Sequence, residues 1–440
     1  MNFNDTSLYK PLFYQNWRSE TLYNLAIWKN GLAFKRINFN KKGRPVIKIA
    51  ELKNGITSQT KFTNQIFDDG YFLKKGDMVF SWSGNPETSI DVFWYRLQDG
   101  WLNQHIFKIK EKNRVNRTYF YFLLKYLNPN FVEIAKNKQT TGLGHVTLKD
   151  IKKIIVKIPN TIEEQKQIAS VLSSLDDKIE LNNQINKNLE EITQAIFKYW
   201  FIDFEFPNEN GEPYKSSGGE MVDSELGLIP KGWRIGKIGD YVEVKSGFAF
   251  KNKWWEKYGI PVIKIRNLKN KTIDFSDISY ISEGRVDGKI SKFFVSSGDI
   301  LIAMTGATIG KIALVPKQNS RALVNQRVGK FFLGEKPLEK LGFIYSILSE
   351  KEIFTEIVST AHGSAQPNIS PTQIKNIKII LPPKKDIDKY NKIVEPAFCK
   401  ITENVNQNEY LSNLRDILLP KLMSGEIRVP INRKLISKNN

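Results

Sequence analysis

Two kinds of hydrophobic pattern alternate along this chain of 440 residues. Two long segments, residues 163–200 and 385–423, repeat apolar side chains every three or four positions, which predicts amphipathic helices. Elsewhere, short β-branched runs are bounded by Gly or Pro, as at residues 261–265, 299–303 and 377–381. Such runs predict strands. The chain therefore combines long helices with compact parts that contain sheets.

Pairs of asparagines interrupt the apolar stripes of both long helices. Asn182 and Asn186 lie in the first helix, and Asn404 and Asn408 lie at matching places in the second. A polar residue in an apolar seam fixes the register of paired helices at some cost in stability. We therefore predict that the helices pack antiparallel, with solvent-facing asparagines as the alternative, and that Pro396 kinks or restarts the second helix. The predicted seam contains Leu175, Ile179, Asn182, Asn186, Leu189, Ile401, Asn404, Val405, Asn408 and Leu411.

Short sequence motifs occur twice along the chain and in the same order. The motif GLAFK at 31–35 recurs as GFAFK at 247–251, and PVIKI at 45–49 recurs at 261–265. Further matched pairs are WR at 17–18 and 233–234, GD at 76–77 and 298–299, NQ at 103–104 and 325–326, and residues 151–159 with 374–382. A constant order with little drift in spacing indicates an internal duplication.

Each copy is predicted to contain a globular part of mixed α+β class followed by one long helix, because helical segments at 118–126 and 338–349 lie between the strands. A duplication of this kind predicts two similar domains in a pseudo-twofold arrangement, separated by two long antiparallel helices. The predicted boundaries are a first domain at 1–160, a helix at 161–205, a linker at 206–230, a second domain at 231–383, a helix at 384–426 and a basic tail at 427–440.

The charge balance favours a polyanionic partner. The chain has 66 Lys and Arg against 46 Asp and Glu, a formal net charge of +20. Such a field attracts nucleic acid first and anionic membrane second, although a solvated Lys-rich surface is the alternative. The single cysteine, Cys399, excludes an intrachain disulfide and fits the cytoplasm. No apolar run reaches the length of a membrane span, so no membrane association is expected.

The sequence carries no recognisable catalytic motif. Its Gly-Lys pairs at 236–237, 288–289, 310–311 and 329–330 are followed by Ile or Phe, where a P-loop needs Ser or Thr. Its three histidines, His105, His145 and His362, lack metal-ligand spacing and are expected to be structural or surface residues. Glu51 starts a fragment that imitates a metal-nuclease signature, but Asn267 replaces it in the other copy. We therefore predict a chain that is not an enzyme and holds no metal.

The second copy contains a series of distinctive motifs. They include GFAFK at 247–251 with GIPVIKI at 259–265, and SGDILIAMTGATIG at 297–310, continuing to ALVP at 313–316. The others are VNQR at 324–327, GSAQPNIS at 363–370 and LPP at 381–383. These motifs are similar to those of target-recognition domains in type I restriction-modification specificity subunits. The resemblance covers nearly the whole chain and is looser in the first copy, where TTGLGH at 140–145 takes the place of the GSAQPN loop.

The resemblance implies that each target-recognition domain reads one half of a bipartite site in double-stranded DNA. The paired helices would set the spacing and dock methyltransferase subunits. It also implies two methyltransferase subunits and two restriction-translocase subunits, which would bring S-adenosylmethionine, ATP and Mg²⁺, while this chain binds no cofactor. The alternatives are a self-contained methyltransferase or nuclease and a general nucleic-acid-binding scaffold.

Candidate DNA contacts follow from the residue types that hydrogen-bond bases and phosphates. For Gln104 and Gln326, a framework hydrogen bond is the favoured alternative, because both copies share them. Lys35 and Lys251, also shared, fit phosphate contacts better than base contacts. The candidates in the first copy are Lys35, Arg44, Ser81, Ser83, Gln104, Thr141 and His145. Those in the second copy are Lys251, Thr305, Thr308, Lys311, Arg321, Gln326, Arg327, Gln366 and Asn368.

Overall fold

The chain divides into two compact units. The computed structural model describes residues 17–35, 39–139, 142–317, 321–361 and 367–430. Unit 1 comprises Met1–Asp177 and Ser412–Asn440, and unit 2 comprises Lys178–Leu411. Each unit therefore contains the globular part of one repeat together with residues of both long helices.

Unit 1 is a mixed structure of short strands and helices. Its strands are β1 (Trp17–Thr21), β2 (Ala26–Asn30), β3 (Arg44–Ile47), β4 (Phe62–Thr63), β5 (Phe72–Leu73), β6 (Met78–Ser81), β7 (Ser83–Gly84), β8 (Asp91–Trp94), β9 (Gly100–Leu102), β10 (Ile106–Glu111), β11 (Gly144–His145) and β12 (Ile155–Pro159). Its helices are α1 (Ile49–Asn54), α2 (Pro86–Ser89), α3 (Arg117–Tyr126), α4 (Asn128–Asn137), α5 (Leu148–Ile151) and the first part of α6 (Ile162–Phe197).

Unit 2 repeats this mixed composition. Its strands are β13 (Met221–Val222), β14 (Ile229–Pro230), β15 (Arg234–Lys237), β16 (Glu243–Ser246), β17 (Trp255–Glu256), β18 (Ile260–Ile263), β19 (Leu268–Lys269), β20 (Thr272–Ile273), β21 (Ser279–Ile281), β22 (Phe294–Val295), β23 (Ile300–Ala303), β24 (Ile312–Leu314), β25 (Ala322–Val324), β26 (Val328–Phe332) and β27 (Lys378–Leu381). Its helices are α7 (Ile238–Tyr241), α8 (Leu338–Ser349), α9 (Lys351–Ala361), α10 (Pro371–Lys375) and most of α11 (Lys384–Met423).

The two units share one sheet topology. The central sheet has the order β2-β10-β6-β8 in unit 1 and β16-β26-β23-β24 in unit 2, where β20 and β19 extend it. A second sheet contains a parallel pair in each unit, β3 with β9 and β18 with β25. A third, two-stranded pairing joins β1 to β12 and β15 to β27. The sequence repeat is thus a repeat of the fold, which confirms the α+β class and the duplicated architecture.

Aromatic side chains fill the core of unit 1. The indole of Trp28 on β2 makes edge contacts with Phe80, Phe107 and Phe120, at centroid distances of 6.1–6.3 Å. Large apolar side chains of this kind supply most of the burial that stabilises a core. In unit 2, a separate core surrounds Phe343 and includes residues of α6, α8 and α11.

The long helices begin and end close to the predicted residues. Helix α6 covers Ile162–Phe197 and continues as a π-helical turn at Lys198–Ile202. Helix α11 runs without a break from Lys384 to Met423, so the restart predicted at Pro396 is wrong. Val394 and Phe398 beside the proline are buried in the core of unit 2, and this packing offsets the missing backbone hydrogen bond.

Asparagine side chains join the two helices within unit 2. The amide nitrogen of Asn182 donates to Gln407 and to Asn408, both at 2.8 Å. The amide nitrogen of Asn404 donates to Asn186, also at 2.8 Å. Positions 182 and 404 are equivalent in the repeat, as are 186 and 408, so the two bonds map onto each other through the duplication. The helices are antiparallel here, and the pair has local twofold character.

The remaining seam residues vary in burial. Asn182, Asn404 and Ile401 are buried, and Asn408 also donates to Asn183. The other predicted seam side chains are half-buried, namely Leu175, Ile179, Asn186, Leu189, Val405, Asn408 and Leu411.

The repeated Gly-Asp motif supplies a framework ion pair in each unit. Lys330 lies 2.6 Å from the carboxylate of Asp299 and donates to the Phe294 carbonyl at 2.9 Å. The equivalent Lys108 lies 2.8 Å from Asp77 and donates to the Phe72 carbonyl. The pair in unit 2 is the more buried, with side-chain exposures of 12% and 2% against 25% and 21% in unit 1.

The segment 206–230, predicted as a linker, carries local structure. Strands β13 and β14 pair antiparallel. Phe206 stacks on Tyr214 at a centroid distance of 4.6 Å and packs against Trp233. Of the predicted basic tail, residues 431–440 lie outside the described residues. Within the part of the chain that the structure describes, no helix has both the length and the apolar character needed to span a membrane.

Removal of the lysine from each framework ion pair should lower the stability of its unit by a different amount. Lys330→Ala leaves Asp299 buried without its cation and should lower the free energy of unfolding by about 3 kcal/mol. Lys108→Ala, the matched control, should cost about 1 kcal/mol because its partner is more solvated. The free energy of unfolding is measured in urea, with hydrogen exchange of the β23 amides reporting on unit 2 and that of the β6 amides reporting on unit 1. Equal losses in the two variants would contradict this ranking.

The loss in the Lys330→Ala variant should also depend on pH. Burial raises the pKa of the Asp299 carboxyl, and the Lys330 ammonium offsets part of that rise. Without Lys330 the folded-state pKa rises further above the unfolded value, so stability falls as pH rises from about 4, the ordinary range of an aspartate. The same measurement should therefore show that Lys330→Ala lowers the free energy of unfolding, relative to the wild type, by less at pH 4 than at pH 7.

Candidate nucleic-acid interface

Four segments come together at one end of the central sheet in each unit. Antiparallel pairing places the end of β2, the end of β6 and the start of β10 side by side, and the same holds for β16, β23 and β26. Three segments adjoin these strand ends, and a fourth precedes α5 in unit 1 and α10 in unit 2. We term these four segments the loop cluster of each unit. It consists of residues 31–35, 82–85, 103–105 and 142–145 in unit 1, and of 247–251, 304–308, 325–327 and 367–368 in unit 2.

Matching backbone hydrogen bonds hold the first three segments together. In unit 1, Gly31 donates to the Ile106 carbonyl at 3.1 Å and Trp82 donates to the His105 carbonyl at 3.2 Å. The corresponding bonds in unit 2 join Gly247 to Val328 at 3.0 Å and Met304 to Arg327 at 3.1 Å. Backbone pairing therefore sets the positions of these loops independently of their exposed side chains.

The repeated glycine of the first segment is required by close packing. A Cβ on Gly31 would lie 2.1 Å from the carbonyl oxygen of Asn103, and one on Gly247 would lie 2.2 Å from that of Val324. No side chain fits at such distances. The glycine therefore allows the first and third segments to touch in both units.

The fourth segment pairs with the second in both units. Ser83 on β7 pairs with His145 on β11, and Thr305 forms an isolated bridge with Asn368 at the equivalent place. The described residues 142–145 of the first copy thus occupy the same structural position as residues 367–368 of the second, despite their different composition. His145 and Asn368 are equivalent positions, as are Ser83 and Thr305.

Most of the sequence-predicted contacts lie in the loop clusters. The structure brings together Ser83, Gln104 and His145 with the exposed Lys35 in unit 1. In unit 2 it brings together Lys251, Thr305, Thr308, Gln326, Arg327 and Asn368. Thr141 and Gln366 lie outside the described residues.

The other candidates lie elsewhere. The structure contradicts a contact through Ser81, because this residue is fully buried and its hydroxyl donates to the Ser89 carbonyl. The guanidinium of Arg44 on β3 covers the Phe72 ring at 4.8 Å. Arg321 lies over Phe294 at 5.7 Å, and Lys311 is exposed immediately before β24. Arg44 and Arg321 therefore have aromatic partners in their own unit.

The shared Asn-Gln motif contributes framework bonds in both units. The backbone nitrogens of Gln104 and Gln326 donate to the first segment at 2.8 and 2.9 Å. The side-chain oxygens of Asn103 and Asn325 accept from the backbone two residues later, at 3.4 Å in each case. The framework hydrogen bonds are therefore made by the asparagine side chain and by the glutamine backbone. The side chain of Gln326 is exposed.

His105, expected from the sequence to be a structural or surface residue, belongs to the loop cluster. It is exposed and occupies the position that Arg327 takes in unit 2. Its Nε2 lies 3.1 Å from the Gln104 amide nitrogen, and its ring lies 5.8 Å from that of Trp82. Burial of part of the ring, with a smaller contribution from Lys48, lowers the pKa of His105, which favours the neutral imidazole. Comparison of NQH at 103–105 with NQR at 325–327 could have identified it.

A second group missed by the sequence analysis surrounds Trp254 in unit 2. The Phe248 ring stacks on the indole with an interplanar angle of 7°. Lys251 and Arg285 place their cationic groups 5.7 and 5.4 Å from the ring centre. Cations held at aromatic faces next to exposed backbone suit contact with a phosphate chain.

Glu51, the residue that imitates a nuclease signature, has a structural role. Its carboxylate accepts from the Lys48 backbone at 3.0 Å and from the Thr60 hydroxyl at 3.1 Å. The side-chain oxygen of Asn267 accepts from the Lys264 backbone at 2.9 Å in the same way. Both residues therefore cap a helical turn. Among the described residues, no three His, Cys, Asp or Glu side chains are grouped so that they could hold a metal ion.

Comparison with known proteins finds the same internal repeat. A model of the type I restriction modification DNA specificity domain matches residues 14–191 and again residues 230–407. The type I restriction enzyme MjaIX specificity subunit of Methanocaldococcus jannaschii is 31% identical over 334 residues, which cover 74% of this chain and 73% of the relative. The HindI specificity subunit of Haemophilus influenzae is 26% identical over 410 residues, covering 81% and 87%.

A solved structure supports the fold. The S subunit of a type I restriction-modification system from M. genitalium matches with a TM-score of 0.53 at 16% identity, covering 96% of this chain and 98% of the other. The domain match in both repeats and the likeness to curated relatives agree with the duplicated topology. This chain belongs to the family of type I restriction-modification DNA specificity subunits.

Proposed function

We propose that each unit of this specificity subunit binds one half of a bipartite sequence in double-stranded DNA. The observation that supports this most strongly is the loop cluster, which has the same backbone framework in both units but different exposed side chains. A shared framework would place both clusters on DNA in an equivalent way, while different side chains would read different bases. The net charge of +20 adds attraction to the phosphates.

The paired helices would fix the gap between the two half-sites and dock the methyltransferase subunits. Helix α6 has 36 residues and is therefore about 54 Å long at about 1.5 Å per residue. This length exceeds one turn of DNA, which is about 34–36 Å. The buried hydrogen bonds of Asn182 and Asn404 support a fixed register between the helices.

We further propose that the chain is not catalytic and works with two methyltransferase and two restriction-translocase subunits. Those subunits would supply the sites for S-adenosylmethionine, ATP and Mg²⁺. The relatives that match the chain are named as specificity subunits, which supports this division of labour. The role of Glu51 in capping a helical turn supports it as well. The rival proposals are a self-contained methyltransferase or nuclease and a general nucleic-acid-binding scaffold.

Deletion of the gene should remove one bipartite methylation motif from the host genome. The motif should consist of two short specified blocks around a fixed gap, because each unit reads one block. Methylome sequencing with and without the gene measures this, and re-expression of the chain should restore the motif. An unchanged methylome in a host that methylates its DNA would contradict the proposed function.

The purified chain alone should neither methylate nor cut DNA when it is supplied with S-adenosylmethionine, ATP and Mg²⁺. The expected result is no methyl transfer and no strand cleavage above a protein-free control. Sustained turnover by the lone chain would instead support the self-contained enzyme.

Lengthening the helix pair should lengthen the gap between the half-sites. Four residues inserted after Asn186 in α6, and four after Glu403 at the same level of α11, add about 6 Å to the pair. This corresponds to about two base-pair steps at about 3.4 Å each. Methylome sequencing should show both half-sites retained with a longer gap. The matched control is a four-residue insertion at the exposed Gly211, outside both helices, which should leave the gap unchanged. An unaltered gap in an active helix variant would refute the spacing role.

A further inference from the structure

The duplication isolates the positions at which the two loop clusters differ while their backbones agree. Among the described residues, three such pairs have polar side chains in both units: Ser83 with Thr305, His105 with Arg327, and His145 with Asn368. Ser83 and Thr305 both present a hydroxyl group, so they offer DNA the same chemistry. Asn368 lies two residues after Gln366, which is outside the described part of the chain. The pair of His105 and Arg327 therefore gives the clearest chemical contrast on a common framework.

The backbone of Arg327 is fixed on both sides. Its carbonyl accepts from Met304 at 3.1 Å, and its nitrogen donates to the Asn325 side chain at 3.4 Å. The residue is exposed, and no hydrogen bond or ion pair joins its guanidinium to another residue in the described ranges. By contrast, the guanidinium of Arg321 in the same unit faces an aromatic ring. The backbone of Arg327 is thus anchored, while its guanidinium has no hydrogen-bond or ion-pair partner among the described residues of its own unit.

His105 is anchored at the same point of the framework in unit 1. Its carbonyl accepts from Trp82 at 3.2 Å, and its ring is held between the Gln104 amide and the Trp82 indole. The indole itself donates to the Asn30 side chain at 3.0 Å. A neutral imidazole has one donor and one acceptor, whereas a guanidinium has donors only. The two residues therefore offer different hydrogen-bond patterns from one structural position.

We propose that this position determines a base in each half-site: Arg327 selects guanine in the half-site of unit 2, and His105 selects a different base in that of unit 1. The proposal rests on the proposed function. Guanine presents two acceptors in the major groove, which match the paired donors of an arginine. An imidazole with one donor and one acceptor cannot reproduce that pairing.

Exchange of the two residues tests the proposal. The variants Arg327→His and His105→Arg are each expressed as the full chain with its partner subunits in a host that lacks the gene, and methylomes are sequenced. Arg327→His should reduce the preference for guanine at one position of one half-site by about 5- to 150-fold. The other half-site and the gap should stay unchanged. His105→Arg should create a guanine preference at one position of the other half-site.

A matched control removes an arginine outside the loop cluster. The control variant is Arg234→His. Arg234 lies on β15 in the same unit and pairs with Asp240 at 3.1 Å. This variant should leave both half-sites as in the wild type. A change of motif in the control equal to that in Arg327→His would overturn the assignment.

Binding selection keeps the test decisive if a variant loses methylation. The purified complex is incubated with DNA pools in which one half-site at a time is randomised, and the bound sequences are compared. A loss of preference confined to one position supports the assignment. An equal fall in affinity for all sequences would identify a phosphate contact and overturn it, as would an unchanged preference. Failure of the proposed function is distinguished by the wild-type complex, which would then select no bipartite motif.

Discussion

Backbone hydrogen bonds between loops are the constraint on which each unit depends. Where β2, β6 and β10 end side by side, their neighbouring loops supply partners for backbone groups that would otherwise be buried without one. The same bonds recur in unit 2, between loops of different composition. Because backbone bonds and a few shared residues set the shape of the cluster, its exposed side chains can differ without changing the fold.

Residues that repeat between the units mainly serve this framework. Gly31 and Gly247 allow two loops to touch, and the ion pair of Asp299 with Lys330 has its counterpart in unit 1. A pair of modules that reads two different sequences needs common supports and divergent contacts. The repeated positions thus indicate support, and the non-repeated positions beside them are those that we propose for recognition.

The helix pair follows a related principle. An apolar seam can slide with little loss, but a buried amide that loses its partner costs free energy. Asn182 and Asn404 are both buried; Asn182 donates to Asn408 and Asn404 donates to Asn186 on the opposite helix. These bonds restrict the helices to one register, which is the property that a spacing element requires.

The sequence by itself determined the duplication, the α+β class, both long helices and several strands, because these are local periodicities of side chains. Strand β23 and helices α3 and α8 lie within one residue of their predicted ranges. At Pro396, where the sequence predicted a kink or a restart, burial of the neighbouring Val394 and Phe398 keeps the helix continuous, so the restart is wrong.

Only the tertiary structure decided which candidate residues share a surface. It buried Ser81, paired Ser83 with His145 and Thr305 with Asn368, and placed His105 where unit 2 has Arg327. Each of these placements depends on the pairing of segments that are far apart in the chain. Side-chain periodicity reports the face on which a residue lies, but it carries no information about the distant segment that it meets.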